Sequence, residues 1–282
     1  MRILCLHGYG TNPASMKQQL AGLRQHAPPH WEFIFLRGGI ECLPAVGLDR
    51  KFPGPFNCYA RCMSPTETSE AYTLLDHTIR TQGPFDGVIG FSHGAALALS
   101  YLLESFAAQG VPSTAYPFRF AVFFSSIFAC AADPAFVDTL YPDLRLEDWA
   151  KVRSCEYAQF ATLPERVRTV TTALSRLLDC VHPITQASRA FFLDRPVEET
   201  PLLLDPEVVV TRLGIPTLHV WGENEPRGLR VASQWAVRLC ERELARTLVH
   251  GNGHDVPRGV GELRGVVGFM EEMGGERVRA VL

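Results

Sequence analysis

No window in these 282 residues approaches the roughly 18–20 uninterrupted apolar residues of a membrane-spanning helix, and MRILCLHG reaches a glycine too soon for a secretory leader. A cytoplasmic protein without a membrane span is therefore expected. Charge of one sign is equally scarce: 27 basic side chains face 30 acidic ones, a net of −3, which speaks against a nucleic-acid or anionic-membrane binder. The eight cysteines include no Cys-x-x-Cys pair, and Cys58 and Cys62, the nearest two, have no second close pair with which to build a zinc site. Free thiols acting as small apolar side chains are expected, with no metal and no cofactor. Internal repeats and low-complexity tracts are missing too. What is present is a globular composition, 46% apolar, 20% charged and 10% aromatic, suited to a small, mostly apolar or neutral substrate.

Short apolar runs, each closed by glycine or a polar turn, recur at Arg2–Leu6, Glu32–Leu36, Phe85–Ile89, Phe118–Ser125, Pro216–Trp221 and Arg246–His250. They read as strands buried on both faces. Helical spacing fills Pro13–His26, Thr68–Thr81, Gly94–Gln109, Arg227–Arg242 and Pro257–Met273. Strands alternating with helices predict an α/β fold: an open, mainly parallel sheet of about six strands with helices on both faces. The alternation fails between 133 and 206, where Glu165–Val181 and Thr185–Leu193 have helical periodicity and Pro142, Pro164, Pro183, Pro196 and Pro201 start or stop helices. An insertion between two core strands of such a sheet emerges on the ligand side, so a single domain over 1–282 with a helical lid over 133–206 is expected.

After the third strand comes Gly90-Phe91-Ser92-His93-Gly94, followed at once by the apolar helix AALALSYLLESF. Gly-x-Ser-x-Gly is weak by itself, but its position between strand and helix gives it a mechanism. The tight turn lifts the serine above the sheet edge, and the helix N-terminus aims free N–H groups at any oxyanion formed there. A serine hydroxyl is unreactive at neutral pH, so it needs a base, and the base needs an orienting acid. On such a sheet the chain order is serine, acid, histidine.

The turn Trp221-Gly222-Glu223-Asn224-Glu225-Pro226 after the fifth strand offers Glu223 and Glu225 as acids; Asp205 is the runner-up, and Asp255 is badly placed to orient its own neighbour. Among nine histidines, His254 in Gly251-Asn252-Gly253-His254-Asp255 lies on a loop after the last strand and is the best base. His219 falls inside a strand, His250 at a strand end, His7 precedes the serine, and His93 is too close to it for its ring to reach the hydroxyl. An oxyanion hole needs two donors: the amide of His93, and that of Tyr9 in the loop His7-Gly8-Tyr9-Gly10 after the first strand.

With LCLHGYGTN, GVIGFSHGAALA, IPTLHVWGENEP and GNGHDVP in this order, the chain resembles the FSH-type serine hydrolases, a branch of the α/β-hydrolases, over residues 1–132 and 207–282. The resemblance implies Ser92 as nucleophile, His254 as base, Glu225 as triad acid and the Tyr9 and His93 amides as oxyanion donors. It departs from the family at the acid, which is usually Asp. The long insertion resembles thioesterase-like members that accompany fungal polyketide synthases and release an acyl chain. On that reading a polyketide-like chain is carried on Ser92 and released by water or by its own hydroxyl as a lactone. Phe128, Phe160 and Phe191, with Phe136, Tyr157, Leu174, Leu177, Leu178 and Phe192, are candidates to line its pocket.

An acyl carrier protein is the partner this implies. The insertion, with eight basic and twelve acidic residues, offers little to an acidic carrier, whereas Arg227 and Arg230 are better placed. The competing readings are a generic carboxylesterase on small esters and a non-catalytic ligand-binding protein on the same scaffold.

Overall fold

A computed structural model describes residues 1–133, 146–154, 157–185 and 187–275. Six strands form the central sheet: β1 (Arg2–Leu6), β2 (Glu32–Leu36), β5 (Gly87–Phe91), β6 (Phe120–Phe124), β7 (Thr217–Gly222) and β8 (Ala245–His250). Their order is β2-β1-β5-β6-β7-β8, and every neighbouring pair is parallel. Two short strands, β3 (Ile40–Glu41) and β4 (Asn57–Cys58), pair antiparallel beside it. No apolar periodicity marks them, because two residues are too few to show one.

The central strands β5 and β6 are buried at every position, which explains their unbroken apolar runs. One face is covered by α1 (Pro13–Gln19), α2 (Ala21–His26) and α10 (Val260–Gly274), through Met16, Leu20, Leu23, Val266 and Phe269. The other carries α3 (Pro65–Gln82), α4 (His93–Leu102) and α9 (Arg227–Arg238) through Leu75, Leu99 and Ala232. The expected single helix over Pro13–His26 is split at Leu20, and α4 gives way to a π-helical turn at Leu103–Ala107.

Between β6 and β7 lie α5 (Leu146–Ser154), α6 (Tyr157–Phe160), α7 (Glu165–Thr185) and α8 (Arg189–Leu193), with no named strand among the described residues. In α7, Val167, Thr171, Leu174, Leu178 and Val181 are buried, one stripe at helical spacing that packs toward α9. The helix runs on through Pro183 to Thr185, because a proline in the last turn removes only one backbone bond before the helix ends anyway. The two ends of this segment meet: Ala131 N–H donates to Leu202 O (2.7 Å) and Leu204 N–H to Ala129 O (2.9 Å), around an antiparallel bridge of Cys130 with Leu203. Phe136, Pro142 and the Tyr157 side chain lie outside the described residues.

Candidate active site

Ser92 caps the junction of β5 and α4 with φ +53° and ψ −113°, a conformation L-residues adopt only under constraint. The constraint is close packing on both sides of the turn. A Cβ on Gly90 would lie 2.4 Å from Ala95 Cα, and one on Gly94 would lie 2.3 Å from Leu6 O. Only glycine lets strand and helix pass at this distance. His93 opens α4, so its amide belongs to the first turn, whose N–H groups lack intrahelical acceptors. The loop with Tyr9 lies against the serine: a Cβ on Gly8 would stand 3.6 Å from Ser92 Cβ. The Tyr9 hydroxyl points elsewhere, donating to Arg61 O at 3.1 Å.

His254 arrives from the loop after β8 and places Nε2 3.0 Å from Ser92 Oγ. Its ring leans on Phe91, centroids 5.1 Å apart. Behind it stands Glu225, whose side chain is fully buried and whose Oε1 lies 3.6 Å from His254 Nδ1. The acid and base loops are stitched together by Glu223 N–H to His250 O (2.7 Å), Asn224 N–H to Asn252 O (3.2 Å) and Asn224 Nδ2 to Gly251 O (2.7 Å). Of the two glutamates the sequence offers, Glu223 is exposed and Glu225 faces the imidazole. Asp205 caps its own turn by accepting Glu207 N–H at 2.8 Å. Asp255 is engaged by Gln19, Arg258 and its neighbour's amide.

Burial disfavours the charged form in each of the rival histidines. Burial lowers His7 to about 4, where it bridges Gly8 O and the Gly38 N–H, and lowers His93 and His219 to about 3. His250 is also lowered, chiefly by burial, and accepts Asn252 N–H at 3.2 Å.

One residue of the cluster escaped the sequence reading. Ser125, at the C-terminal end of β6, is fully buried with φ +48° and donates its hydroxyl to Glu225 Oε1. A serine after an apolar run looks like any polar turn residue, so its only signal is its place after the strand between those that lead to Ser92 and to Glu225.

Ser92 and His254 open onto a cavity of about 680 Å³, within the range of small-molecule sites. Its walls come from Gly8 and Tyr9, from Gln18, Gln19 and Gly22 of the first helices, from Ala45 to Phe52, and from Val256, Pro257 and Leu263. Phe128, Phe160 and Phe191 are not on this wall. Phe128 and Phe160 are buried in the apolar core, Phe128 edge-on to Trp235, because sequestering a whole ring against its neighbours removes more apolar surface than lining a wet pocket would. Phe191 lines a second cavity of about 610 Å³ with Arg61 and Cys42, which shares Tyr9 with the first. From the inserted helices, Ile184 of α7 reaches the wall around Ser92. No group of three or more His, Cys, Asp or Glu among the described residues could hold a metal ion, and no helix among them is long and apolar enough to cross a membrane.

Comparison with known proteins gives a consistent picture. The model of the family described as "Serine hydrolase (FSH1)" matches residues 1–264. "Serine hydrolase cnsH" of Penicillium expansum is 38% identical over 225 residues, covering 80% of this chain and 92% of its own. "Esterase alnB" of Emericella nidulans is 35% identical over 269 residues, 93% of each chain. Among solved structures, esterase PE8 shares the fold at a TM-score of 0.50 with 16% identity, covering 96% of this chain and 92% of its own.

Proposed function

The chain belongs to the FSH1 family of serine hydrolases, enzymes of the α/β-hydrolase fold, and from that premise we propose that it is an acyl-ester or thioesterase-type hydrolase working through Ser92, His254 and Glu225. One observation carries the reading: a serine in a constrained left-handed turn, 3.0 Å from an imidazole nitrogen, at the mouth of a 680 Å³ cavity. His254 Nε2 takes the Ser92 proton as Oγ attacks the carbonyl carbon. The Tyr9 and His93 amides receive the oxyanion, and loss of one such donor typically costs about 100–1000-fold in rate. The imidazolium then gives its proton to the departing thiol or alcohol, leaving the acyl group on Ser92. Glu225 holds the ring and balances its charge.

The acyl chain occupies the cavity between α1, the 45–52 segment and the start of α10. Residues 133–206 form a helical lid inserted in one hydrolase domain, a reading supported by the paired ends at Ala131 and Leu202 and by Ile184 on the cavity wall. Water resolves the acyl-enzyme; where the chain is polyketide-like and bears its own hydroxyl, that hydroxyl resolves it as a lactone, since a cavity that folds the chain back on itself raises its effective concentration. A thiol carrier protein with an acidic surface meets Arg227 and Arg230 at the start of α9.

The test has two arms. A fluorophosphonate probe labels the native enzyme and not Ser92→Ala; equal labelling of both overturns the nucleophile assignment. A hydroxyacyl thioester is then followed by mass, and a product that is only the linear acid removes the cyclising branch.

A further inference from the structure

Resting on Glu225 as the acid of the site, we propose that Ser125 is a positioning residue for hydrolysis, its hydroxyl fixing the Glu225 carboxylate against His254. The strand β6 lies between those that deliver nucleophile and acid, and its end is tied to both. Ser92 N–H donates to Phe124 O at 2.8 Å, and Ser125 N–H donates to Val220 O at 2.7 Å. At this point the backbone of Ser125 turns into the left-handed region, φ +48°, although serine is neither glycine nor asparagine. Such a conformation persists only where its surroundings hold it. Its result is to aim Oγ at Glu225 Oε1 in a place sealed from solvent.

That oxygen is where the site converges. Glu225 Oε1 receives the Ser125 hydroxyl, lies 3.3 Å from Gly222 N and stands 3.6 Å from His254 Nδ1. A hydroxyl has one proton. Asp255 O lies 3.3 Å from Ser125 Oγ, so the shorter contact to the carboxylate takes it. A glutamate has one more rotatable bond than the aspartate usual at this position, and therefore one more way to swing off the imidazole. The serine donor removes that freedom and stabilises the charged carboxylate as the imidazolium forms.

The experiment compares Ser125→Gly, Ser125→Ala and Glu225→Gln with the native enzyme, reading kcat, KM and the pH profile of kcat/KM on a soluble ester, with thermal midpoints alongside. Glycine relieves the positive φ, so Ser125→Gly removes the hydroxyl without adding strain. The expected result for Ser125→Gly is a kcat lower by about 10–100-fold with KM unchanged. The pH profile of kcat/KM changes as well, because a carboxylate free to swing no longer holds the ring in one place. Added to Glu225→Gln, the same change has little further effect. A Ser125→Gly enzyme with native kcat and profile overturns the proposal while a slow Glu225→Gln leaves the acid assignment standing. Native kcat in Glu225→Gln overturns both.

Discussion

A distance of 3.6 Å between Glu225 Oε1 and His254 Nδ1 is longer than a hydrogen bond, so the imidazole and carboxylate must close by roughly half an ångström when the ring is protonated. Such contacts commonly tighten only in the reacting complex. Replacing Glu225 by Gln keeps the shape and removes the charge. The expected effect is a fall in kcat of roughly 10³–10⁴-fold with KM little changed, measured by steady-state ester hydrolysis; a loss below tenfold would take the orienting role from Glu225. Ser92 and His254 were legible in the sequence because each sits in a glycine-flanked turn at a strand end, a pattern with its own geometric cause. Ser125 was not, since a hydrogen bond between residues a hundred positions apart leaves no local trace. The aromatic residues of the insertion are ambiguous in sequence for a related reason: Phe160 would be chosen for a pocket or for a core by the same chemistry, and only the packing places it in the core.

The strand-to-helix turn that carries Ser92 depends on the α4 backbone lying against the end of β1. A Cβ on Gly94 would meet Leu6 O at 2.3 Å and His7 O at 2.7 Å, both backbone atoms that cannot swing aside. Gly94→Ala should therefore cost about 3 kcal/mol or more, a drop of roughly 5–10 °C in thermal midpoint, with loss of probe labelling at Ser92. An unchanged midpoint would contradict the close packing. The strands and most helices of the sheet were legible within a few residues, as at β6, expected over Phe118–Ser125 and found over Phe120–Phe124. The two-residue strands β3 and β4 and the bridge that closes the insertion at Cys130 and Leu203 were not, because their order comes from partners distant in the chain.

The cavity wall is likewise assembled from separate segments, so it could not be read from any one of them. Gln18, exposed on α1, lines it. Gln18→Trp should lower kcat/KM for long-chain esters about tenfold or more and leave acetyl esters near native. Equal effects on both chain lengths would place the acyl group elsewhere.

At the scale of the whole molecule, a net charge of −3 hides buried groups that couple stability to pH in opposite directions. His7, His93 and His219 are held by burial at about 4, 3 and 3, below the ordinary 6.5. As pH falls below 6.5 the unfolded chain takes up their protons first. The stability they contribute is complete above that point and is lost on the way down to pH 3–4. Glu104, in the π-helical turn, works the other way. Burial raises it from 4.5 to about 7 while it accepts the Ala132 N–H at 2.9 Å and the Tyr72 hydroxyl at 3.3 Å. Its neutral form favours the fold, so its contribution is complete below 4.5 and is lost as pH rises through about 7. Each proton is worth up to about 1.4 kcal/mol per pH unit, and three histidines outweigh one carboxyl. The thermal midpoint should therefore fall steeply below about pH 6, well above the range where ordinary carboxylates titrate. Glu104→Gln removes the opposing group. The variant should gain on the native enzyme at pH 8, lose that advantage as pH approaches 4.5, and show the steeper decline. Parallel curves for the two proteins across pH 4.5–8 would show that Glu104 does not titrate with folding.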